Sequence, residues 1–249
     1  PAPFTVDVEQ LTEGESLDGF VQHEAQRPFD LEQGPLLRIR LLRLAPDAHV
    51  LVLTQHHIVS DGWSMPIMVD ELVRLYSGEP LPALAFQYAD YAAWQRQWME
   101  AGERERQLAW WTAQLGGEQP VLQLPTDRPR PAVQRRDGGW LEIGLDRGLA
   151  DSLKDFARDQ GVTLFMLLLA SFQTLLQRYS GQADIRVGVP IANRNRAETE
   201  GLIGFFVNTQ VLKAEFDAHT TVAELLQQVK HHALQAQAHQ YLPFEQLGE

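Results

Sequence analysis

From Gln160 to Gln177 the chain carries no charged side chain. Thr163, Ser171, Gln173 and Thr174 interrupt this run, and Arg158, Asp159 and Arg178 stand at its edges, so it does not read as a membrane span. Phe165, Leu168, Leu169, Phe172, Leu175, Leu176 and Tyr179 recur at helical spacing with further apolar residues between them. The pattern predicts a helix buried on most sides. Such a helix needs a core around it. A chain of 249 residues, 44% hydrophobic and 22% charged, can build that core as one large domain or two smaller lobes, with neither disulfides nor a structural metal.

Charge and composition exclude several functions. Lys and Arg number 21 against 33 Asp and Glu, a net charge of −12, which lacks the electrostatic footprint of a nucleic-acid binder. With no cysteine there is no thiol nucleophile, thiolate zinc site or iron–sulfur cluster. Arg128, Arg130, Arg135 and Arg136 lie among Pro125, Pro129 and Pro131 and read as a solvated linker. The start, Pro1-Ala2-Pro3-Phe4, has no basic region followed by an apolar core, so no secretion signal is read and a cytoplasmic location is expected. A missing initiator Met is weak support for a piece of a longer chain.

Ser16 is expected to cap a short helix through about Ala25. A strand from Leu36 to Leu44, in which Leu37, Ile39 and Leu41 alternate with Arg38 and Arg40, turns through Ala45-Pro46-Asp47-Ala48 into a second strand, His49 to His57. Alternation then sends His56 and His57 to opposite faces. A loop follows, then a helix from Ser64 to Tyr76 stopped at Gly78, and a longer helical region from Tyr88 to Leu115 with Gly102 as its interruption. The Gly-, Pro- and Arg-rich stretch between Gly116 and Gly139 reads as a boundary between two α/β lobes. Beyond it come a strand near Trp140 to Leu145, helices near Leu149 to Gln160 and Val162 to Tyr179, strands near Ile185 to Ile191 and Phe205 to Val211, and a last helix opened by the capping box Thr221-Val222-Ala223-Glu224.

No nucleophile elbow, dinucleotide fingerprint or P-loop is present. The chemistry-bearing segment is Gln55-His56-His57-Ile58-Val59-Ser60-Asp61-Gly62-Trp63-Ser64. A histidine at a strand end, with a carboxylate four residues on, suits a general base, because imidazole titrates near the working pH. A structural or surface histidine pair is the commoner meaning of such residues alone. His57 and Asp61 have the spacing of a metal pair on a helix, but this segment reads as strand and loop and offers no third ligand, so no metal site is expected. Ser60 and Ser64 read as a loop hydroxyl and a helix cap, and Tyr91, Trp94 and Trp98 as core.

His56-His57-Ile58-Val59-Ser60-Asp61-Gly62 resembles the His-His-x-x-x-Asp-Gly signature of the condensation domains of nonribosomal peptide synthetases. Three further segments resemble that family's later motifs in order: Tyr88-Ala89-Asp90-Tyr91-Ala92-Ala93-Trp94-Gln95; Asn193-Arg194-Asn195-Arg196 with Ile203-Gly204-Phe205-Phe206-Val207-Asn208-Thr209; and His239-Gln240-Tyr241-Leu242-Pro243-Phe244-Glu245. Tyr241 stands where the family usually has Asp, and neither the early motifs nor the closing strands have a counterpart here. The resemblance implies an α/β fold of two chloramphenicol-acetyltransferase-like lobes, a V-shaped pseudo-dimer around a tunnel, here incomplete. Residues 1–120 would be the C-terminal part of the N-lobe, 121–138 the inter-lobe linker and 139–249 the N-terminal part of the C-lobe.

The resemblance also implies an acyltransferase activity: an amide forms between a donor acyl or peptidyl thioester and an acceptor aminoacyl amine. Both substrates arrive on phosphopantetheine arms of peptidyl carrier proteins, with an adenylation domain as neighbour and no cofactor held by the domain itself. His57 would deprotonate or position the amine, and Gly62 N–H would favour the oxyanion. His56 would pack or hydrogen-bond behind the site. Asp61 would pair with Arg194, or else Arg186 or Arg196, across the lobes; Ser60, Trp63 and Asn208 are weaker tunnel-lining candidates, and Asn208 is alternatively a tie between elements. The alternatives are a same-fold acyltransferase to a hydroxyl, an epimerisation domain, or an idle carrier-binding module.

Overall fold

The computed structural model describes residues 6–11, 16–117, 119–129, 131–133 and 138–247, so Arg130, Arg135 and Arg136 of the expected basic linker lie outside the described residues. Packing divides the chain into two compact units, Pro1–Gln95 with Arg194–Val207 and Arg96–Asn193 with Asn208–Glu249. Both mix helix and strand, as an α/β fold requires. The segment Arg194–Val207, which the sequence assigns to the second lobe, packs with the first unit.

In the first unit, β1 (Asp7–Gln10) runs parallel to β2 (Leu37–Ala45), joined through α1 (Leu17–Gln26), and β2 pairs antiparallel with β3 (Ala48–Gln55). Ser16 caps α1 by accepting the Gly19 N–H at 3.0 Å. Four residues are too few to show alternation, so β1 carries no sequence signal. Arg38 does not simply face solvent: its guanidinium pairs with the buried Glu24 of α1 and lies 3.8 Å over the Phe29 ring. After β3 the chain enters α2 (Ser64–Tyr76), which ends near Gly78, and then α3 (Tyr88–Trp98).

A π-turn, Met99–Glu103, follows α3 into the second unit. It breaks at Gly102, whose φ of 108° only glycine adopts freely, before α4 (Arg104–Leu115) resumes the helix. Then come α5 (Arg147–Asp159), α6 (Leu164–Ser180), β4 (Asp184–Ile191), the single turn α7 (Ala197–Glu200) of the first unit, β5 (Asn208–Glu215) and α8 (Val222–Ala238), whose capping box is formed as expected. β4 and β5 pair antiparallel, and the core collects Leu167, Leu169, Leu212, Leu226, Val229 and Leu242 around them. Buried Gln107 of α4 accepts the N–H groups of Tyr241 and Leu242 at 3.0 and 2.9 Å, while the Tyr241 ring meets Trp98 edge-on at 4.9 Å. Tyr241 therefore has an aromatic role in place of a carboxylate.

Three expectations need correction. Trp140–Leu145 is not a strand, and Trp140 is 95% exposed: no neighbouring strand among the described residues satisfies its backbone groups. The last strand starts at Asn208 rather than Phe205, because the polar groups of 204–206 bond elsewhere. And α6 buries Leu167, Leu169, Ala170, Gln173 and Leu176 but exposes Phe165, Leu168, Phe172, Leu175 and Tyr179 along its other face. Among the described residues no single helix is long and apolar enough to cross a membrane.

A continuous apolar stripe of that length favours association. The 249-residue chain by itself is expected to self-associate in light-scattering chromatography, and the pair Phe172→Glu with Leu175→Glu, at positions 48% and 51% exposed, to reduce it without shifting the melting temperature appreciably. A monodisperse, monomeric wild-type chain would contradict this.

Candidate active site

The motif begins where the β2–β3 ladder runs out. Leu37 faces Gln55, and the next bond, His56 N–H to Leu36 O at 2.9 Å, is the last of the pairing. His56 then turns the chain: its Nδ1 accepts the Ile58 N–H at 3.1 Å, capping a 3₁₀ turn over His57–Val59, and its half-buried ring meets Phe29 edge-on at 5.8 Å. The two histidines do face different surroundings, but not through strand alternation: His57 belongs to the turn rather than the strand. It is exposed, and its ring meets that of Phe205 at 5.4 Å and 85°.

Asp61 lies at the bottom of the following loop, with its side chain and that of Arg194 both 0% exposed and 3.1 Å apart. One carboxylate oxygen accepts from Ser64 N–H at 2.9 Å, from the Ser64 hydroxyl at 2.8 Å and from Arg194, and the other accepts from Phe206 N–H at 3.0 Å. Asp61 is therefore the residue that opens α2, with its side chain bonded three residues on, while Ser64 does not cap. Burial pushes the Asp61 carboxyl up, but the bonds from Phe206, Ser64 and Arg194 outweigh it and hold the group below its ordinary 3.8.

Arg194 does not grip this carboxylate with both arms of its fork. Nη1 donates to Thr199 O and Leu202 O at 2.6 and 2.7 Å, leaving Nη2 for Asp61 and the Ser64 oxygen, while the guanidinium lies 3.9 Å over the Phe206 ring. The other two arginines are engaged elsewhere, Arg186 with Asp184 at 2.9 Å and Arg196 over the Trp94 ring at 4.1 Å. Since both Asp61 oxygens are in use and no hydrogen bond joins it to His57, no carboxylate–imidazole relay is formed here.

Ser64, read from the sequence as a helix cap, and Tyr88, read only as the start of a motif segment, both join the network. The Ser64 oxygen also accepts Gly204 N–H at 3.0 Å, and the Tyr88 hydroxyl donates to Phe205 O at 2.7 Å. Burial raises the Tyr88 phenol, with the Asp61 charge adding to the effect and Arg194 opposing it, so it stays a neutral donor. The motif segment marked Tyr88, but no local pattern joins its hydroxyl to a carbonyl 117 residues on. At Gly204 a Cβ would run into the Tyr88 ring, so only glycine allows this approach. Gly62 is different: a Cβ there meets nothing within 4 Å, and no hydrogen bond among the described residues uses its N–H.

The weaker candidates separate. Ser60 is buried, with its hydroxyl 3.5 Å from Asp61 O, and Trp63 is 47% exposed with its indole N–H donating to Glu200 O at 3.1 Å. Asn208 belongs to the second unit, where its Nδ2 donates to Gln240 O and Leu242 O at 2.8 and 2.7 Å and its Oδ1 accepts from Phe244 N–H at 3.1 Å. It ties the start of β5 to the segment after α8. Tyr91 and Trp94, expected as core, line a cleft of about 250 Å³ with Phe86 and Arg196. Among the described residues no three His, Asp or Glu side chains are grouped to hold a metal.

The sequence profile described as "Condensation domain" matches residues 2–249. One of the linear gramicidin synthase proteins of Brevibacillus parabrevis is 51% identical over 251 residues, which cover 97% of this chain and 3% of that protein. Among solved structures, the complex of the X-domain and OxyB from teicoplanin biosynthesis matches with a TM-score of 0.89 at 29% identity, over 99% of this chain and 56% of that one. The condensation domain from the Monacolin K polyketide synthase MokA matches with a TM-score of 0.80 at 26% identity, over 97% and 57%. The chain thus spans little more than half of these structures and a small part of the curated relative.

Two predictions follow from this geometry. In the intact protein, Asp61→Ala and Arg194→Ala should each cost about 3–5 kcal/mol in denaturant unfolding, because each strands a buried charge, and the double variant should lose less than the sum. A carboxyl held below its unfolded value of about 3.9 contributes stability that is complete above that pH and lost as pH falls through its folded value. Asp61→Asn should therefore flatten the acid limb of the stability curve, and strictly additive losses or an unchanged acid limb would refute the network. Separately, Gly204→Ala is expected to destabilise by about 1–3 kcal/mol, with Gly62→Ala near neutral; equal melting temperatures would contradict the close approach of Tyr88.

Proposed function

The chain belongs to the condensation-domain family, and from that premise we propose that it forms an amide bond between a donor acyl or peptidyl thioester and an acceptor aminoacyl amine. Both are carried on phosphopantetheine arms of peptidyl carrier proteins, with an adenylation domain as neighbour. The observation that carries the reading is the division of labour within one motif. Asp61 is buried and fully engaged, whereas His57 is exposed with no hydrogen bond to its ring among the described residues, and the Gly62 N–H is free of them as well.

The chemistry fits that division. The amine nitrogen attacks the thioester carbonyl, the C–N bond forms, and the C–S bond breaks as the sulfur leaves. His57 holds the amine by hydrogen bonding and takes its surplus proton, which the departing thiolate can receive. An amine is already a good nucleophile toward a thioester, so orientation matters more than basicity. Gly62 presents a backbone donor to the oxygen that becomes negative, with no side chain to obstruct it.

The test is product formation from two carrier proteins loaded with aminoacyl thioesters. His57→Ala is expected to lower the rate by about 10²-fold or more with an unchanged melting temperature. Gly62→Ala is expected to lower it while leaving stability near wild type, since the methyl meets only what approaches from outside. Undiminished product from His57→Ala would sink this reading, and carrier binding without product in the wild type would favour an idle docking module.

A further inference from the structure

An imidazole that acts as a base or positions an amine has to be held in one plane. The usual device is a carboxylate or carbonyl on the second ring nitrogen. Here that device is absent. Asp61, the carboxylate in the same loop, has both oxygens taken by Phe206, Ser64 and Arg194, and among the described residues no hydrogen bond reaches either nitrogen of His57. What the ring does meet is the side chain of Phe205, edge to face, with centroids 5.4 Å apart and planes at 85°. That is the favoured geometry for two flat rings with opposed edge and face charges.

Phe205 is in turn held with unusual completeness for a residue outside a strand. On one side of it, Gly204 N–H donates to the Ser64 hydroxyl oxygen at 3.0 Å; on the other, Phe206 N–H donates to Asp61 Oδ2 at 3.0 Å. Its own carbonyl accepts the Tyr88 hydroxyl at 2.7 Å, and the Phe206 ring beside it carries the Arg194 guanidinium at 3.9 Å and meets the Tyr88 ring edge-on at 5.1 Å. Three consecutive residues are thus fixed by α2, α3 and the motif loop, with the Phe205 side chain left to meet His57.

We propose that Phe205 is the positioning residue for His57, fixing the plane of the imidazole through ring contact, and that Tyr88 sets Phe205 through the hydroxyl–carbonyl bond. The proposal rests on the reading of His57 as the group that engages the amine. An aromatic neighbour orients the ring while leaving both nitrogens available, one to accept from the amine and one to donate. A carboxylate partner would occupy one of them and raise the basicity of the other, which an amine–thioester reaction does not need. The buried Asp61–Arg194 network then acts on His57 at one remove, through the segment that carries Phe205.

The experiment follows the His57 ring directly, in the intact protein with ring-¹³C histidine, its resonances identified by their loss in His57→Gln. Rates are measured with a panel of aminoacyl N-acetylcysteamine thioesters. Phe205→Leu should displace and broaden the His57 resonances and lower kcat about two- to tenfold, the worth of one aromatic pair, with KM unchanged. Phe205→Tyr should restore both, and Tyr88→Phe, which removes only the hydroxyl, should move the same resonances less in the same direction. His57 resonances that stay in place in Phe205→Leu would overturn the proposal, as would displaced resonances with kcat intact while His57→Ala is inactive. If His57→Ala itself turns over at full rate, the reading of His57 fails, and the resonances alone decide whether Phe205 holds the ring.

Discussion

Two opposite charges with fully buried side chains, Asp61 and Arg194, meet inside the first unit, 133 residues apart in sequence. Neither survives burial unless its hydrogen-bonding capacity is used, since an uncompensated charge in a protein interior costs several kcal/mol. The surrounding chain is arranged to use it. Asp61 receives donors from the first turn of α2 and from the Phe206 backbone, and Arg194 donates to the carbonyls of Thr199 and Leu202. Of the side-chain polar atoms of this pair, Arg194 Nε alone has no hydrogen-bond partner among the described residues. Satisfying the pair draws the motif loop, α2 and the segment 199–206 together, and the burial of Leu202 and Phe206 adds apolar contact to the same segment.

That arrangement separates buried, bonded residues from exposed ones inside the seven-residue motif. His56 caps a turn and packs on Phe29, and Ser60 and Asp61 are buried. His57, after the first of these, and Gly62, after the last, are left exposed. The alternation is produced by a change of secondary structure rather than by the sheet. The ladder ends at His56, a single 3₁₀ turn rotates His57 outward, and the loop then brings Asp61 in. Both oxygens of the Asp61 carboxylate are used in holding this loop to α2 and to Phe206, which leaves neither for the His57 ring.

Much of this was legible in the amino-acid order. The alternation of Leu37, Ile39 and Leu41, the capping box at Thr221, the interruption at Gly102 and the bounds of α2 all rest on contacts within a few residues, where periodicity and caps carry the information. The ordered motifs pointed to the family and to Arg194 ahead of Arg186 and Arg196. What the sequence by itself determined, then, was the local elements, the family and the partner of Asp61.

Tertiary structure decided the rest. Trp140–Leu145 has strand-like residues but finds no neighbouring strand among the described residues, and 204–206 gives its backbone groups to Ser64, Tyr88 and Asp61 instead of to β4. The helical spacing of α6 was right, yet only its surroundings could say that one of its two apolar faces stays exposed. Phe205, an apolar residue in an apolar run, gained its place beside His57 from bonds that reach 117 to 145 positions along the chain. Pairing partners at such separations are selected by the closing of the whole fold, and a local pattern contains no record of them.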